Sequence, residues 1–224
     1  MNYILLTEKK WHDELFESLS ARSGENWLRI SDREAFNAKD LKTFEPDKIF
    51  IPHWSYIIPA SIYEQFECIV FHMTDLPFGR GGSPLQNLIV RGHEGTRVSA
   101  LKVGKGIDTG DIYTKADLSL HGTAQEIFIR SGKVIGRIIE QIIAENPVPR
   151  PQEGEPTSFD RRKPEDGDLA SLNSIENVFD FIRMLDCEGY PKAFIETEHF
   201  RIEFSRAGLA ADKSIVADVR IFKK

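Results

Sequence analysis

The stretch CIVFHMTDLPFGRGGSPLQNLIVRG, residues 68 to 92, changes character after its first four residues. The apolar run at residues 68–71 is typical of a strand buried on both faces of a sheet. His72 ends the run, and the glycines and prolines behind it indicate a loop. Parallel sheets bind ligands where the carboxyl ends of strands meet loops, so His72 is a candidate for chemistry.

The amino-terminal half alternates between strand and helix patterns. Short apolar runs predict strands, and helical spacing of apolar residues predicts helices. We expect strands at residues 3–6, 27–30 and 48–51, and helices at residues 11–19 and 58–66. This order predicts an α/β fold, with a mostly parallel sheet flanked by helices.

The remaining sequence predicts two further strands and a small appendage. The two strands are at residues 97–103 and 111–116, a helix follows at 123–144, and residues 147–167 form a surface connection without periodicity. Beyond it we expect a helix at 175–185 and short strands at 194–195, 200–204 and 215–222. The predicted domains are a catalytic α/β domain, 1–150, and a linker, helix and small β appendage, 151–224.

Composition narrows the function class. The chain has 224 residues, of which 41% are hydrophobic and 29% charged, enough for a full-sized core. The absence of an apolar run of about 18 residues or of a signal-peptide pattern predicts a cytoplasmic protein without a membrane partner. Cys68 and Cys187 are expected to be reduced, buried thiols. A net charge of −6 argues against nucleic acid as a partner.

Several carboxylates are candidate partners for His72. Asp75 follows three residues later, and Asp108 and Asp111 lie in a glycine-rich turn between two later strands. A carboxylate beside a histidine can fix its tautomer and support proton transfer near neutral pH. The alternative is that His72 is a hydrogen-bonded core residue and Asp108 a turn-forming residue. The other histidines are too scattered for a metal site, so none is predicted.

Four motifs in order carry a family resemblance. FHMTDLPFGRGGSPLQNLI, GIDTGDI, FDRRKPEDGDL and IRMLDCEGYPKAF resemble the successive landmarks of the folate-dependent formyltransferase family, and the likeness covers nearly the whole chain. The resemblance implies a Rossmann-like formyltransferase sheet. It also implies N10-formyltetrahydrofolate as the formyl donor and no metal.

The resemblance also implies roles for individual residues. His72 and Asp108 are the expected catalytic pair. The expected folate-binding residues are Trp54, Ser55, Tyr56, Ile57, Ile58 and Ile107. The expected contacts to the acceptor substrate are Lys9, Lys10, Trp11, Thr74, Arg80, Gly81 and Gly82.

Val70 departs from the family pattern. The family usually has an asparagine two residues before the histidine, and its side-chain amide helps to hold the oxyanion. Here either His72 does that work alone, or Thr74, Asn87 or an ordered water replaces the amide. An inactive protein is the alternative.

Size and acidic charge favour a small acceptor. Within the family the likeness is to members that formylate a nucleotide-linked amino sugar, a UDP-4-amino-4,6-dideoxy sugar of pseudaminic acid biosynthesis. The alternatives are a methionyl-tRNA or aminoacyl-carrier formyltransferase and a non-catalytic folate- or sugar-binding protein. Apolar residues of the last strand could pair with a second copy to form a homodimer, namely Ile215, Val216, Val219 and Ile221.

Overall fold

A computed structural model describes residues 1–224, which form eleven strands and six α-helices. The strands are β1 Asn2–Leu6, β2 Asn26–Ile30, β3 Lys48–Pro52, β4 Cys68–His72, β5 Arg80–Gly81, β6 Gly95–Lys102, β7 Ile112–Ser119, β8 Ser158–Phe159, β9 Ala193–Glu196, β10 Phe200–Leu209 and β11 Ile215–Lys223. The helices are α1 Asp13–Ser20, α2 Ala38–Phe44, α3 Ala60–Tyr63, α4 Pro84–Ile89, α5 Ala124–Glu145 and α6 Ile175–Leu185.

The central sheet has six strands in the order β2-β1-β3-β4-β6-β7. Strand β1 pairs in parallel with β2 and β3, and β3 pairs in parallel with β4. Strand β6 is antiparallel to β4 and places Ser99 opposite His72. Strands β1, β3 and β4 are almost wholly buried because helices and loops cover the sheet, which explains their continuous apolar runs. The predicted mostly parallel, Rossmann-like sheet is confirmed.

The chain divides into two compact units. The first comprises Met1–Gly81, Thr96–Leu118 and Ile129–Ser158, and the second comprises Gly82–Gly95, Ser119–Phe128 and Phe159–Lys224. In the first unit, one apolar cluster is built from strand residues such as Ile4 and Ile51 together with Leu41 and Ile62 of α2 and α3. A division along the chain at residue 150 stays a prediction.

The second unit contains the predicted helix and β appendage. Ser174 caps α6 by accepting a hydrogen bond from the Asn177 amide, and the helix lies against β9 and β10. These strands form a three-stranded antiparallel sheet with β11, which lies at its edge. Val216 and Ile221 of β11 are exposed. Pairing of this edge with a second copy stays a prediction.

Two predicted segments differ in detail. The helix expected at residues 58–66 is regular only over α3, although the Phe66 amide still donates to Ile62 O in a closing turn. The connection expected at 147–167 contains strand β8 and a 3₁₀-helix, Pro164–Gly167. Both cysteines are free and buried, as predicted. None of the helices is both long and apolar enough to cross a bilayer.

Candidate active site at the end of strand β4

His72 is the last residue of β4 and only 7% exposed. Its Nε2 lies 2.8 Å from the carbonyl oxygen of Gly79. Its Nδ1 lies 3.4 Å from Oδ2 of Asp108. A neutral imidazole carries one N–H, so only the protonated ring can donate toward both oxygens. The Gly79 carbonyl can only accept, so Nε2 carries the proton that faces it, and the Asp108 carboxylate lies beside the other ring nitrogen.

Asp108 lies in the turn between β6 and β7, with a left-handed backbone (φ +54°). Such a conformation is uncommon for a residue with a side chain, although aspartate tolerates it better than most. Oδ2 of Asp108 accepts a 2.9 Å hydrogen bond from the Gly81 amide. The same oxygen lies 3.4 Å from His72 Nδ1, beyond the usual hydrogen-bond range of about 2.7–3.2 Å but close enough for an ion pair with a protonated ring.

Asp75, the other candidate partner of His72, is engaged elsewhere. Its carboxylate pairs with Lys115 and reaches to within 4.0 Å of Arg97. It is half exposed, whereas Asp108 retains 12% exposure. Of the candidate carboxylates, Asp75 is therefore not the partner of His72, because it pairs with Lys115.

The loop after His72 contributes backbone groups as well as side chains. Thr74 is fully buried, and its hydroxyl donates a long, 3.4 Å bond to Gly79 O, the same carbonyl that His72 faces. The Arg80 amide donates to Thr157 O, whereas the next amide, that of Gly81, turns to Asp108. This loop therefore orients both members of the candidate pair.

Gly82 and Asn87 belong to the second unit and have packing roles there. A Cβ on Gly82 would lie 2.6 Å from the Arg161 Cα, so only glycine fits. The Asn87 amide donates to the carbonyls of Gly82, Ser83 and Asp160. Because its donors are committed to these carbonyls, Asn87 does not replace the missing family asparagine.

Gln152 is a site residue that sequence reasoning missed. Its side-chain oxygen accepts from Arg80 Nε and Nη2, at 3.2 and 2.7 Å. Its Nε2 donates to the carbonyls of Asp108 and Gly110, at 2.8 and 2.9 Å. It lies in the connection between α5 and β8, where no periodic pattern marks it, so no sequence signal pointed to it.

Glu8 joins two sets of predicted binding residues. Its Oε1 accepts from Lys9 Nζ at 2.7 Å and from the hydroxyl of Ser55 at 2.6 Å. Burial alone would raise the pKa of Glu8, but the hydrogen bonds from Lys9 and Ser55 lower it below its usual value. Lys9 Nζ also lies 5.8 Å from the centre of the Trp11 ring, and Lys10 is exposed.

The predicted folate-binding segment presents apolar surface. Ile57 is 82% exposed and Tyr56 43% exposed, whereas Ile58 is buried and Trp54 packs against the core cluster. Ile107, next to Asp108, is 64% exposed. Both predicted folate-binding segments therefore carry exposed apolar side chains.

Comparison with known proteins agrees with this architecture. The family model described as "Formyl transferase" matches residues 12–127, and the model described as "Methionyl-tRNA formyltransferase, C-terminal domain" matches residues 164–222. A methionyl-tRNA formyltransferase of Thermodesulfovibrio yellowstonii is 27% identical over 153 residues, covering 65% of this chain and 50% of that protein. The chain thus spans about half the length of this curated relative.

Solved structures extend the comparison. A solved structure of a methionyl-tRNA formyltransferase from Clostridium thermocellum is 48% identical, covers 100% of both chains and superposes with a TM-score of 0.97. HypX from Aquifex aeolicus, solved in complex with tetrahydrofolic acid, has 15% identity and a TM-score of 0.76, covering 92% of this chain and 37% of that one. A Shewanella sugar N-formyltransferase has 15% identity and a TM-score of 0.67, covering 97% of this chain and 96% of that one. The last two show a shared fold alone. The chain belongs to the formyltransferase family.

Proposed function

We propose that this protein transfers the formyl group of N10-formyltetrahydrofolate to a primary amine, with His72 and Asp108 acting on the reacting atoms. The observation that carries the proposal is the pair itself: a buried histidine at a strand end, with a carboxylate 3.4 Å from one ring nitrogen and a carbonyl 2.8 Å from the other. Family membership supports the reaction class.

The chemistry follows from the charges in this pair. A neutral amine attacks the formyl carbon, its lone pair forms the new C–N bond, and negative charge develops on the formyl oxygen. His72 in its protonated form stabilises that oxygen through the Nδ1 proton. Asp108 first stabilises the imidazolium and then accepts a proton from the attacking amine. The electron pair on the formyl oxygen re-forms the carbonyl, the bond between the formyl carbon and N10 of the folate breaks, and His72 delivers its proton to that nitrogen.

The residues fit the proposed formyl donor. N10-formyltetrahydrofolate supplies an activated formyl group and a flat pterin ring. Tyr56 and Ile57 offer exposed apolar surface for such a ring, as does Ile107 beside the catalytic aspartate. A 15% identical neighbour with a shared fold is known in complex with tetrahydrofolic acid, which supports a folate in this fold.

For the acceptor, we place the amino group of methionyl-tRNA first. The 48% identical structure that matches the chain over its full length carries that name, as do the curated relatives. The expected nucleotide-linked amino sugar rested on the resemblance, on size and on the net charge of −6, and the sugar N-formyltransferases among the neighbours are only 14–15% identical. The sugar is therefore the second acceptor.

The test is a transfer assay with matched acceptors. The purified chain is mixed with N10-formyltetrahydrofolate and with methionyl-tRNA, a UDP-linked 4-amino sugar or an aminoacyl carrier protein, and formylated product is measured by mass spectrometry. We expect formyl-methionyl-tRNA, and we expect the variant His72→Asn to lose it. If only the UDP-linked sugar is formylated, the sugar rather than methionyl-tRNA is the acceptor. Folate binding without transfer to any amine would contradict the proposed activity.

A further inference from the structure

One side chain hydrogen-bonds to both loops that carry the candidate catalytic pair. Gln152 accepts two bonds from the guanidinium of Arg80, in the loop that follows His72. It donates two bonds to the carbonyls of Asp108 and Gly110, in the turn between β6 and β7. All of these residues belong to the first compact unit.

The orientation of the Gln152 amide is unambiguous. A guanidinium can only donate, so the atom facing Arg80 must be the amide oxygen. Backbone carbonyls can only accept, so the atom facing Asp108 and Gly110 must be the amide nitrogen. Both donor hydrogens and both oxygen lone pairs are used. Among uncharged side chains, only an amide offers two donor hydrogens and two acceptor lone pairs, and asparagine is one methylene group shorter than glutamine.

The turn that carries Asp108 leaves little room for adjustment. A Cβ on Gly110 would lie 1.7 Å from the carbonyl oxygen of Lys102, so the turn packs directly against the end of β6. Gln152 bonds to the same turn at Asp108, whose φ of +54° is uncommon for a residue with a side chain. A residue in such a conformation persists only when its neighbours hold it there.

We infer that Gln152 is a positioning residue for formyl transfer: it sets the separation between the Asp108 carboxylate and the His72 ring by joining their two loops. The inference rests on the proposed function for its kinetic consequence. Reaction rates depend steeply on placement, and a displacement of about 1 Å can cost about 10²-fold in rate. Gln152 acts through Asp108 and makes no contact with reacting atoms.

Two substitutions separate the two halves of this bridge. Gln152→Glu keeps an oxygen acceptor for Arg80 but places a carboxylate against the carbonyls of Asp108 and Gly110. Gln152→Met removes all four bonds. In both variants we expect kcat to fall about tenfold to a hundredfold with a smaller change in KM. The reason is that the substitution displaces Asp108 from His72 and leaves the substrate-binding residues in place. The matched control is Gln141→Met, at an exposed glutamine of α5 that lies outside the two loops. Its nitrogen donates to Glu145 on the same helix, and its oxygen accepts a long, 3.5 Å bond from the Thr114 hydroxyl.

Activity per folded molecule separates positioning from simple destabilisation. The folded fraction at the assay temperature is measured by circular dichroism, and kcat is divided by it. A residue that only stabilised the fold would lower the melting temperature and leave kcat per folded molecule at the parent value, which would overturn the inference.

A second readout does not depend on activity. The Gly81 amide donates to Asp108 Oδ2, whereas the neighbouring Arg80 amide donates to Thr157 O. Hydrogen exchange measured by NMR should therefore become faster at Gly81 in the Gln152 variants, with Arg80 as the internal reference. If the parent formylates no amine, the proposed function fails, yet this measurement still tests the bridge. Unchanged exchange at Gly81 in Gln152→Glu would overturn the inference, even if Gln152→Met failed to fold.

Discussion

The first unit contains two histidine sites with opposite surroundings. His72 faces the Asp108 carboxylate and the Gly79 carbonyl. His12 and His53 instead face each other, with 2.8 Å between Nε2 of His12 and Nδ1 of His53, and Nε2 of His53 lies 3.0 Å from the sulfur of Met73. Met73 directly follows His72, so the two sites are neighbours along the chain.

Burial and neighbouring charges together decide which charge state each site favours. Burial lowers the pKa of His12 to about 2, and the positive charge of nearby side chains such as Arg29 contributes. Burial likewise lowers the pKa of His53 to about 3, with Lys9 and His72 contributing. Because the sulfur of Met73 can only accept, His53 carries its proton on Nε2, and His12 donates from its own Nε2. The His12–His53 pair is neutral, whereas His72 lies beside a carboxylate.

We expect the largest effect from removing the charge of Asp108, the carboxylate beside His72. Asp108→Asn keeps an oxygen for the Gly81 amide but removes the negative charge beside His72. We expect kcat/KM for formyl transfer to fall by about 10²–10⁴-fold, the range for a lost acid-base group. Steady-state kinetics on the folded variant measures the loss.

Asp75 provides the matched control for that carboxylate. Asp75→Asn removes an exposed ion pair with Lys115, which is worth about 1 kcal/mol or less to stability. Transfer activity should stay at the parent level. Similar losses in the two variants would remove the distinction between Asp108 and Asp75 on which the site assignment depends.

The next effect concerns the neutral pair of His12 and His53. In the folded protein His12 stays unprotonated until the pH approaches its pKa of about 2, whereas in the unfolded chain a histidine takes up a proton below about pH 6.5. The unfolded state therefore binds more protons between these values, and the free energy of unfolding falls as the pH is lowered through this window. The loss for one such group is about 1.4 kcal/mol per pH unit.

His12→Gln should reduce this sensitivity to acid. A glutamine amide can still donate toward His53 but does not titrate. We expect the variant to lose less stability than the parent between about pH 7 and about pH 5, measured by urea unfolding, while His53 keeps a residual slope. An identical slope in parent and variant would show that His12 is already protonated in the folded state and that the contrast with His72 is absent.

The smallest effect sharpens the role of His72. Val70 lies on the same face of β4 as His72, pairs with Ile51 and Leu101 in the sheet and packs against the core cluster. Restoring the family residue by Val70→Asn places an amide among apolar side chains. We expect turnover to change far less than the about 10²-fold that a full oxyanion donor supplies.

The decisive quantity is the ratio of kcat in Val70→Asn to that in the parent, taken at several pH values. A hundredfold gain would show that the parent lacks an oxyanion donor and that His72 does not provide one.

Sequence reasoning recovered the elements that depend on local pattern. The apolar runs at residues 3–6 and 68–71 predicted strands because a parallel strand buried on both faces needs such a run over a few successive residues. The ordered motifs around His72 and Asp108 supplied the family. The connection that contains Gln152 has no periodicity, so its role in the site could not be predicted.

The sequence by itself determined the mostly parallel sheet, the strand end at His72 and the glycine-rich turn of Asp108, because these depend on residues close together in the chain. Only the tertiary structure decided that Lys115 pairs with Asp75, that Gln152 bridges the two loops, and that His12 lies against His53. Each of these contacts joins residues far apart in the chain, 40 positions for Asp75 and Lys115 and 41 for the two histidines. Their partners are set by the packing of loops on the completed sheet, and no local pattern encodes that packing.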